Sequence, residues 1–261
     1  MECNIHKTAI ISKSANLGSN VIIGPYTIIE DNVIIGNNTE ISSHCVIGKN
    51  AIIGENNKIY PSTIIGTDPQ DKKFTGEKTN VIIGNNNIIR EFVTINNGTI
   101  ASGKTYLGDN NMILAYSHIA HDCIIGNNII MSNVTQFGGH VEVEDWVVFG
   151  AFSKIHQFCK IGCHVMTAAD VTITKDVSPY VILNRIPTFH GLNMIGLNRR
   201  GFKKQTIDDI NEFYKYVMLS GFNTSDGIKK YIENKGEDNI IPEVKHCIEF
   251  IINSERGIIR N

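Results

Sequence analysis

No stretch of the chain approaches the roughly 18 consecutive apolar residues that a membrane-spanning helix needs, so no such helix is predicted. The first residues, MECNIHKTAIISKSA, lack a basic segment followed by an apolar one, which predicts no export signal and a cytoplasmic protein. An excess of one charge is missing too. A formal net charge of −2 argues against a protein that coats a polyanion, so nucleic acid is not an expected partner. Six cysteines, at positions 3, 45, 123, 159, 163 and 247, form no CxxC pair and are too sparse for a disulfide scaffold, as suits reduced thiols. Apolar material, by contrast, is plentiful. With 261 residues, 42% of them hydrophobic and 19% charged, the chain can bury a sizeable core, and wholesale disorder is excluded.

Neither a helical period of 3.6 nor a strand period of 2 organises that apolar material. It recurs instead at every sixth residue. Starting from Ile5, the series runs through Ile11, Leu17, Ile23 and Ile29 and continues to Phe149, Ile155 and Ile161, with Asp71, Glu77 and Ala101 as its exceptions. A period of six is the signature of a parallel β-helix, in which each hexad supplies one short strand and one turn and three hexads close a triangular coil. The glycines that follow many inward residues (Gly18, Gly24, Gly36, Gly48) and the Asn pairs (Asn37-Asn38, Asn56-Asn57, Asn127-Asn128) are expected at corners that require positive φ. Outward positions read as a mixture of Asn, Glu, Lys and Ser, unlike the flat Thr ranks of an ice-binding solenoid.

Two polar stretches, near 67–80 and 96–104, interrupt the hexads and are predicted to loop out of the shaft, where function commonly resides. Beyond about residue 175 the pattern turns helical. Thr206-Ile207-Asp208-Asp209 predicts a capping box for a helix stopped by Gly221, Ser225 a cap for a second helix ending at Gly236, and Pro242 the first turn of a third. The expected organisation is a β-helix over 1–190 and a small helical domain over 191–261, with 177–199 as the connection.

Stacking coils of about 18 residues brings separated residues together. His121 then lies under Gly139 and Gln157, and Asp122 under His140, with His118 and His156 close by. A single histidine on a solenoid is ordinarily a corner or surface residue. A cluster that includes a carboxylate points to general-base chemistry near neutral pH. Three histidines on one edge also raise zinc, but Asp122 directly after His121 suits a base and its orienting partner better than a ligand pair, and no metal is predicted.

The segments His118-Ile119-Ala120-His121-Asp122-Cys123, Gly138-Gly139-His140-Val141, Ile155-His156-Gln157-Phe158-Cys159 and Gly196-Leu197-Asn198-Arg199-Arg200-Gly201-Phe202 resemble the UDP-N-acetylglucosamine O-acyltransferase family, which catalyses the first step of lipid A biosynthesis. The resemblance runs over essentially the whole chain. It implies a left-handed β-helix, a homotrimer with active sites between neighbouring shafts, and transfer of an (R)-3-hydroxyacyl group from acyl carrier protein to the sugar 3-hydroxyl. It implies His121 as general base, Asp122 as its orienting partner and the Gly139 N–H as oxyanion donor. It further implies Asp71, Lys73, His118, His140, His156, Gln157, Asn193, Arg199 and Arg200 as substrate contacts and Ala169 as the stop for the acyl chain. Direct transfer of this kind uses no cysteine nucleophile and no cofactor beyond the donor's phosphopantetheine.

Arg199 and Arg200, with Lys203 and Lys204, also form a basic patch suited to phosphate oxyanions or an acidic carrier protein, although a solvated helix start would read the same way. The related N-acyltransferase of the same pathway has an extra N-terminal domain, for which hexads beginning at Ile5 are expected to leave no room. The chain departs from the family at Asn96-Asn97, where many members carry His-Arg, and at Ile195, where a carboxylate is common. A sugar-nucleotide N-acyltransferase or N-acetyltransferase on the same solenoid, including one with a 3-amino acceptor, is the alternative.

Overall fold

A computed structural model describes residues 3–260. Two-residue strands recur at hexad spacing from Asn4–Ile5 to Thr172–Ile173 and lengthen to three or four residues beside the excursions. They form three sheets of 11, 9 and 8 strands, all parallel except for one final pair. Asn4 pairs with Ile22, Ile10 with Ile28 and Asn16 with Ile34, so one turn of three hexads separates stacked residues. The shaft is therefore the predicted parallel β-helix. The inward Ile23, Ile29, Ile35, Ile41 and Ile47 are at most 1% exposed. Each such side chain contributes roughly 1.5–3 kcal/mol by leaving water. At the base of the shaft, among the described residues, Ile5, the inward residue of the first strand, is 44% exposed.

Both excursions leave the shaft where the sequence breaks. Residues 68–79 separate strands Ile64–Thr67 and Asn80–Ile83, and residues 97–103 separate Thr94–Asn96 and Lys104–Leu107. Across them Lys58 pairs with Ile88 and Thr94 with His118, after which the inward series resumes in phase.

Several sequence expectations change. Gly18, Gly24, Gly36 and Gly48 do not sit at positive φ, although Gly66 beside the first excursion does; that conformation falls two residues later, at Asn20, Tyr26, Asn38, Asn50 and Asn56, and includes one member of each expected Asn pair. The glycines are required by stacking instead. A Cβ on Gly24 would lie 2.6 Å from the Ser42 carbonyl carbon in the next coil, and one on Gly36 equally close to Gly54. The outward strand positions are also less polar than expected: Ile10, Ile22, Ile28 and Ile34 are 37–65% exposed.

The segment 177–199 is structured rather than a plain connection. Strand Phe189–Leu192 pairs antiparallel with Val181–Leu183 and so crosses the boundary expected at 190, after which α1 spans Met194–Arg199. Arg199 and Arg200 end that helix rather than start one. Helix α2 spans Lys204–Tyr214 from an N-cap at Lys203, so no Thr206 capping box forms; Asp209 accepts instead from Lys235 Nζ at 2.8 Å. A π-helical turn, Lys215–Leu219, prolongs α2 before Gly221 at φ 77°. Helix α3, Thr224–Lys235, is capped by Asn223 rather than Ser225 and ends at Gly236, and α4 spans Pro242–Ile252. The helices and the upper coils share one hydrophobic core, with Tyr214 Oη donating to the Pro179 carbonyl at 2.7 Å.

Candidate active site

The strand His118–Ile119 ends at a corner formed by residues 120–123, and this corner carries the site. His121 Nδ1 lies 2.7 Å from Asp122 Oδ2. Asp122 is 3% exposed and takes the left-handed conformation, φ 60°, which turns its carboxylate inward beneath the second excursion. That excursion holds it. Thr99 donates to the carboxylate from its backbone N–H at 2.9 Å and from Oγ1 at 2.7 Å, and the Ser102 hydroxyl donates as well. Burial by itself would raise the Asp122 pKa, but the hydrogen bonds from Ser102, His121 and Thr99 outweigh it and hold the carboxyl down at about 2. An ionised carboxylate on Nδ1 fixes the tautomer in which Nδ1 carries the proton and Nε2 is a free acceptor.

The neighbours shape that acceptor. Gly139 stacks directly over the ring, since a Cβ there would come within 2.8 Å of Nε2. The Gly139 N–H meets no backbone acceptor among the described residues. His140 stands edge-on to His121 with centroids 5.2 Å apart, lies 3.6 Å from Asp122 through Nε2, and stacks on Phe158. His118 Nδ1 lies 2.7 Å from Thr94 Oγ1, and burial together with the neighbouring His121 lowers its pKa, which keeps it neutral. His156 and Gln157 are exposed one coil above, where Gln157 overlies Gly138. His118, His121, Asp122, His140 and Gly139 thus come together, with His156 and Gln157 one coil above. His121, Asp122 and His140 are also close enough to share a metal ion, but the Asp122 oxygens are already engaged by Thr99, Ser102 and His121. Cys123 is buried, and burial pushes its thiol up to about 12, which disqualifies it as a nucleophile.

The remaining sequence candidates lie apart. Asp71 and Lys73 are on the first excursion, where Asp71 caps its own turn by accepting from the Lys73 N–H at 3.0 Å. Asn193 is 2% exposed and commits its amide within the chain, capping α1 at Gly196 N and donating to the His164 carbonyl. Arg199 is exposed, whereas Arg200 packs over the Trp146 ring at 5.2 Å and donates to the Trp146 carbonyl. Ala169 is an exposed corner residue at the far edge of the sheet that carries His118. Asn96 and Asn97 donate to Thr67, to the Asp68 carbonyl and to the Gly66 carbonyl, so these amides tie the second excursion to the first. Ile195 is 66% exposed.

Thr99 and Ser102 were missed as individuals. The signal available was the excursion itself, which breaks the hexads just before the coil that carries His121.

A family model for domain 2 of UDP-N-acetylglucosamine O-acyltransferase matches residues 176–259, and bacterial transferase hexapeptide repeats match 14–49, 26–61 and 104–133. The chain is 46% identical to an acyl-[acyl-carrier-protein]–UDP-N-acetylglucosamine O-acyltransferase from Thiobacillus denitrificans over 98% of its own length and 99% of the relative's. It belongs to the UDP-N-acetylglucosamine O-acyltransferase family. A second acyltransferase of that name, from Herminiimonas arsenicoxydans, is 47% identical with the same coverage. Among solved acyltransferases of the family, those from Francisella novicida and Bacteroides fragilis each superpose with a TM-score of 0.94, at 39% and 42% identity. They cover 98% of this chain, and 94% and 99% of their own chains are matched in return. The shaft is the left-handed β-helix of these acyltransferases.

Proposed function

We propose that the chain transfers an (R)-3-hydroxyacyl group from acyl carrier protein to the 3-hydroxyl of UDP-N-acetylglucosamine, the first step of lipid A biosynthesis. The observation that carries this reading is the His121–Asp122 pair stacked beneath Gly139, within a full-length match to acyltransferases of that name. Nε2 of His121 takes the proton from the sugar hydroxyl as its oxygen attacks the thioester carbon. The ionised Asp122 stabilises the imidazolium that forms, and the Gly139 N–H donates to the developing oxyanion. Collapse breaks the C–S bond, and the imidazolium returns its proton to the departing thiolate. The electrons balance without a covalent enzyme intermediate.

His118, His140, His156 and Gln157 surround the dyad and would orient the sugar. Asp71, Lys73, Asn193, Arg199 and Arg200 would complete the nucleotide and phosphopantetheine contacts. Asp71 and Lys73 make no hydrogen bond or ion pair to the dyad within the described residues, so a neighbouring shaft is the economical way to bring them in. The exposed Ile22, Ile28 and Ile34 give the shaft apolar faces for that purpose. Sedimentation should therefore show a homotrimer, and a fully active monomer would refute it. No helix of the described residues is long and apolar enough to cross a membrane, and a cytoplasmic location suits a donor carried on acyl carrier protein.

Mass analysis after incubation with UDP-N-acetylglucosamine and acyl carrier protein thioesters tests the activity. An alkali-labile 3-O-ester supports it. An alkali-stable amide formed with a 3-amino analogue of the sugar nucleotide and no product with UDP-N-acetylglucosamine, or turnover with acetyl-CoA alone, would favour the N-acyltransferase alternative.

Two residues sharpen the test. Ser102→Ala removes a hydrogen bond to the charged form of Asp122, so the Asp122 pKa should rise and turnover should fall about tenfold with KM little changed. NMR titration of the carboxylate and single-turnover rates check both. Ala169→Met should favour shorter donors by about ten- to a hundredfold, since overpacking a fixed groove costs roughly 1–3 kcal/mol. Competition between donors of graded length measures this, and an unchanged profile places the stop elsewhere.

A further inference from the structure

A second cluster of ligating side chains lies away from the dyad, where α4 meets the shaft. Glu144 follows the strand Glu142–Val143, Cys163 follows Lys160–Ile161 in the coil above, and His246 projects from α4. The ligand atoms of these three residues all lie within 4.8 Å of one another. Glu144 Oε2 sits 2.8 Å from His246 Nε2 and 2.7 Å from the Cys163 backbone nitrogen. Beside them is a cavity of about 330 Å³ bordered by Glu142, Lys160, Glu249, Phe250 and Asn253.

We propose that Glu144, Cys163 and His246 form a zinc site that fastens α4 to the shaft. A tetrahedral zinc with nitrogen or oxygen at about 2.0–2.1 Å and sulfur at about 2.3 Å spaces its ligand atoms roughly 3.3–3.8 Å apart. To reach that range the 2.8 Å Glu144–His246 contact opens by about half an ångström, and the Cys163 sulfur, within 4.8 Å of both, draws in by side-chain adjustment. The second carboxylate oxygen, Oε1, is free to ligate while Oε2 keeps the Cys163 N–H, and water from the cavity fills the fourth position. A thiolate with an imidazole selects zinc over magnesium or calcium, which prefer all-oxygen sets. Cys163 ligates as the thiolate, and its thiol proton leaves to solvent as the ion binds. In the absence of a cation Glu144 pairs with His246, and the Cys163 thiol hydrogen-bonds to Tyr180 and Glu144.

Cobalt(II) is the direct probe, added to the full-length protein after chelator treatment. The expected result is one equivalent per chain, with a thiolate-to-cobalt charge-transfer band and the intense visible bands of tetrahedral cobalt. These bands should vanish in Cys163→Ser and His246→Gln and on addition of zinc. Zinc should raise the Tm of the wild type by several degrees and that of either variant not at all. Should Cys163→Ser itself loosen the corner, Glu144→Gln keeps the side-chain size and should weaken cobalt binding about tenfold or more. No charge-transfer band in the wild type would overturn the site. So would a band that survives Cys163→Ser, or a zinc-induced Tm rise that is equal in all the variants.

Discussion

Replacing His121 with Ala is expected to lower turnover by at least about a hundredfold while the protein folds and assembles as before. Removing a general base costs on the order of 10²–10⁴ in rate. The His121 ring adds little to the shaft core: it lies at a corner, partly exposed, whereas the inward side chains beside it, Ile119 and Cys123, are fully buried. Single-turnover rates with an acyl carrier protein thioester, alongside thermal unfolding, separate the two effects. A variant that keeps its rate would transfer the base role to His140, the other imidazole within 4 Å of Asp122.

Gly139→Ala should be nearly as damaging through a different route. A Cβ at this position would lie 2.6 Å from Cε1 and 2.8 Å from Nε2 of His121, closer than real contacts allow, so the ring must swing away. Displacing a catalytic group by about 1 Å costs on the order of a hundredfold. The Gly139 backbone is not in the left-handed region, so alanine should not disturb folding. The decisive comparison is the double variant. If the added methyl acts by moving His121, Gly139→Ala should cost almost nothing further in a His121→Ala background. A second hundredfold loss there would mean that the glycine serves the oxyanion or the acyl groove independently of the ring.

What the sequence disclosed, and what it withheld, follows from how far each contact reaches along the chain. The inward series from Ile23 to Ile161 is legible because every hexad repeats the same steric demand, and the stacking of Gly139 on His121 follows from counting one coil. Asp122 as the partner of His121 is likewise a nearest-neighbour relation. The support of Asp122 by Thr99 and Ser102 is not, because it crosses an excursion whose path no period describes. The glycine corners were misassigned for a related reason. Positive φ is a local property that Tyr26, His44, Phe92 and Trp146 also adopt here, whereas the glycines answer to the coil stacked upon them. Lys203 as the start of α2 carried no capping signal, since that helix is fixed by burial of Ile207, Ile210 and Phe213 rather than by its end.

Among the described residues the base of the shaft is uncovered, which gives the molecule a direction in which it comes apart. Each coil is stabilised by the ones above and below it, so a solenoid loses structure from whichever end lacks a lid. The upper end is covered by α2 and α4, which share the core of the last coils. The lower end presents Ile5 and the half-covered Ile11 and Leu17 to solvent. Opening should therefore start at Asn4–Leu17 and climb, reaching the His121 corner only after the five lower coils have let go. The catalytic corner thus belongs to the last part of the shaft to melt, and early loss of the first coil leaves it intact.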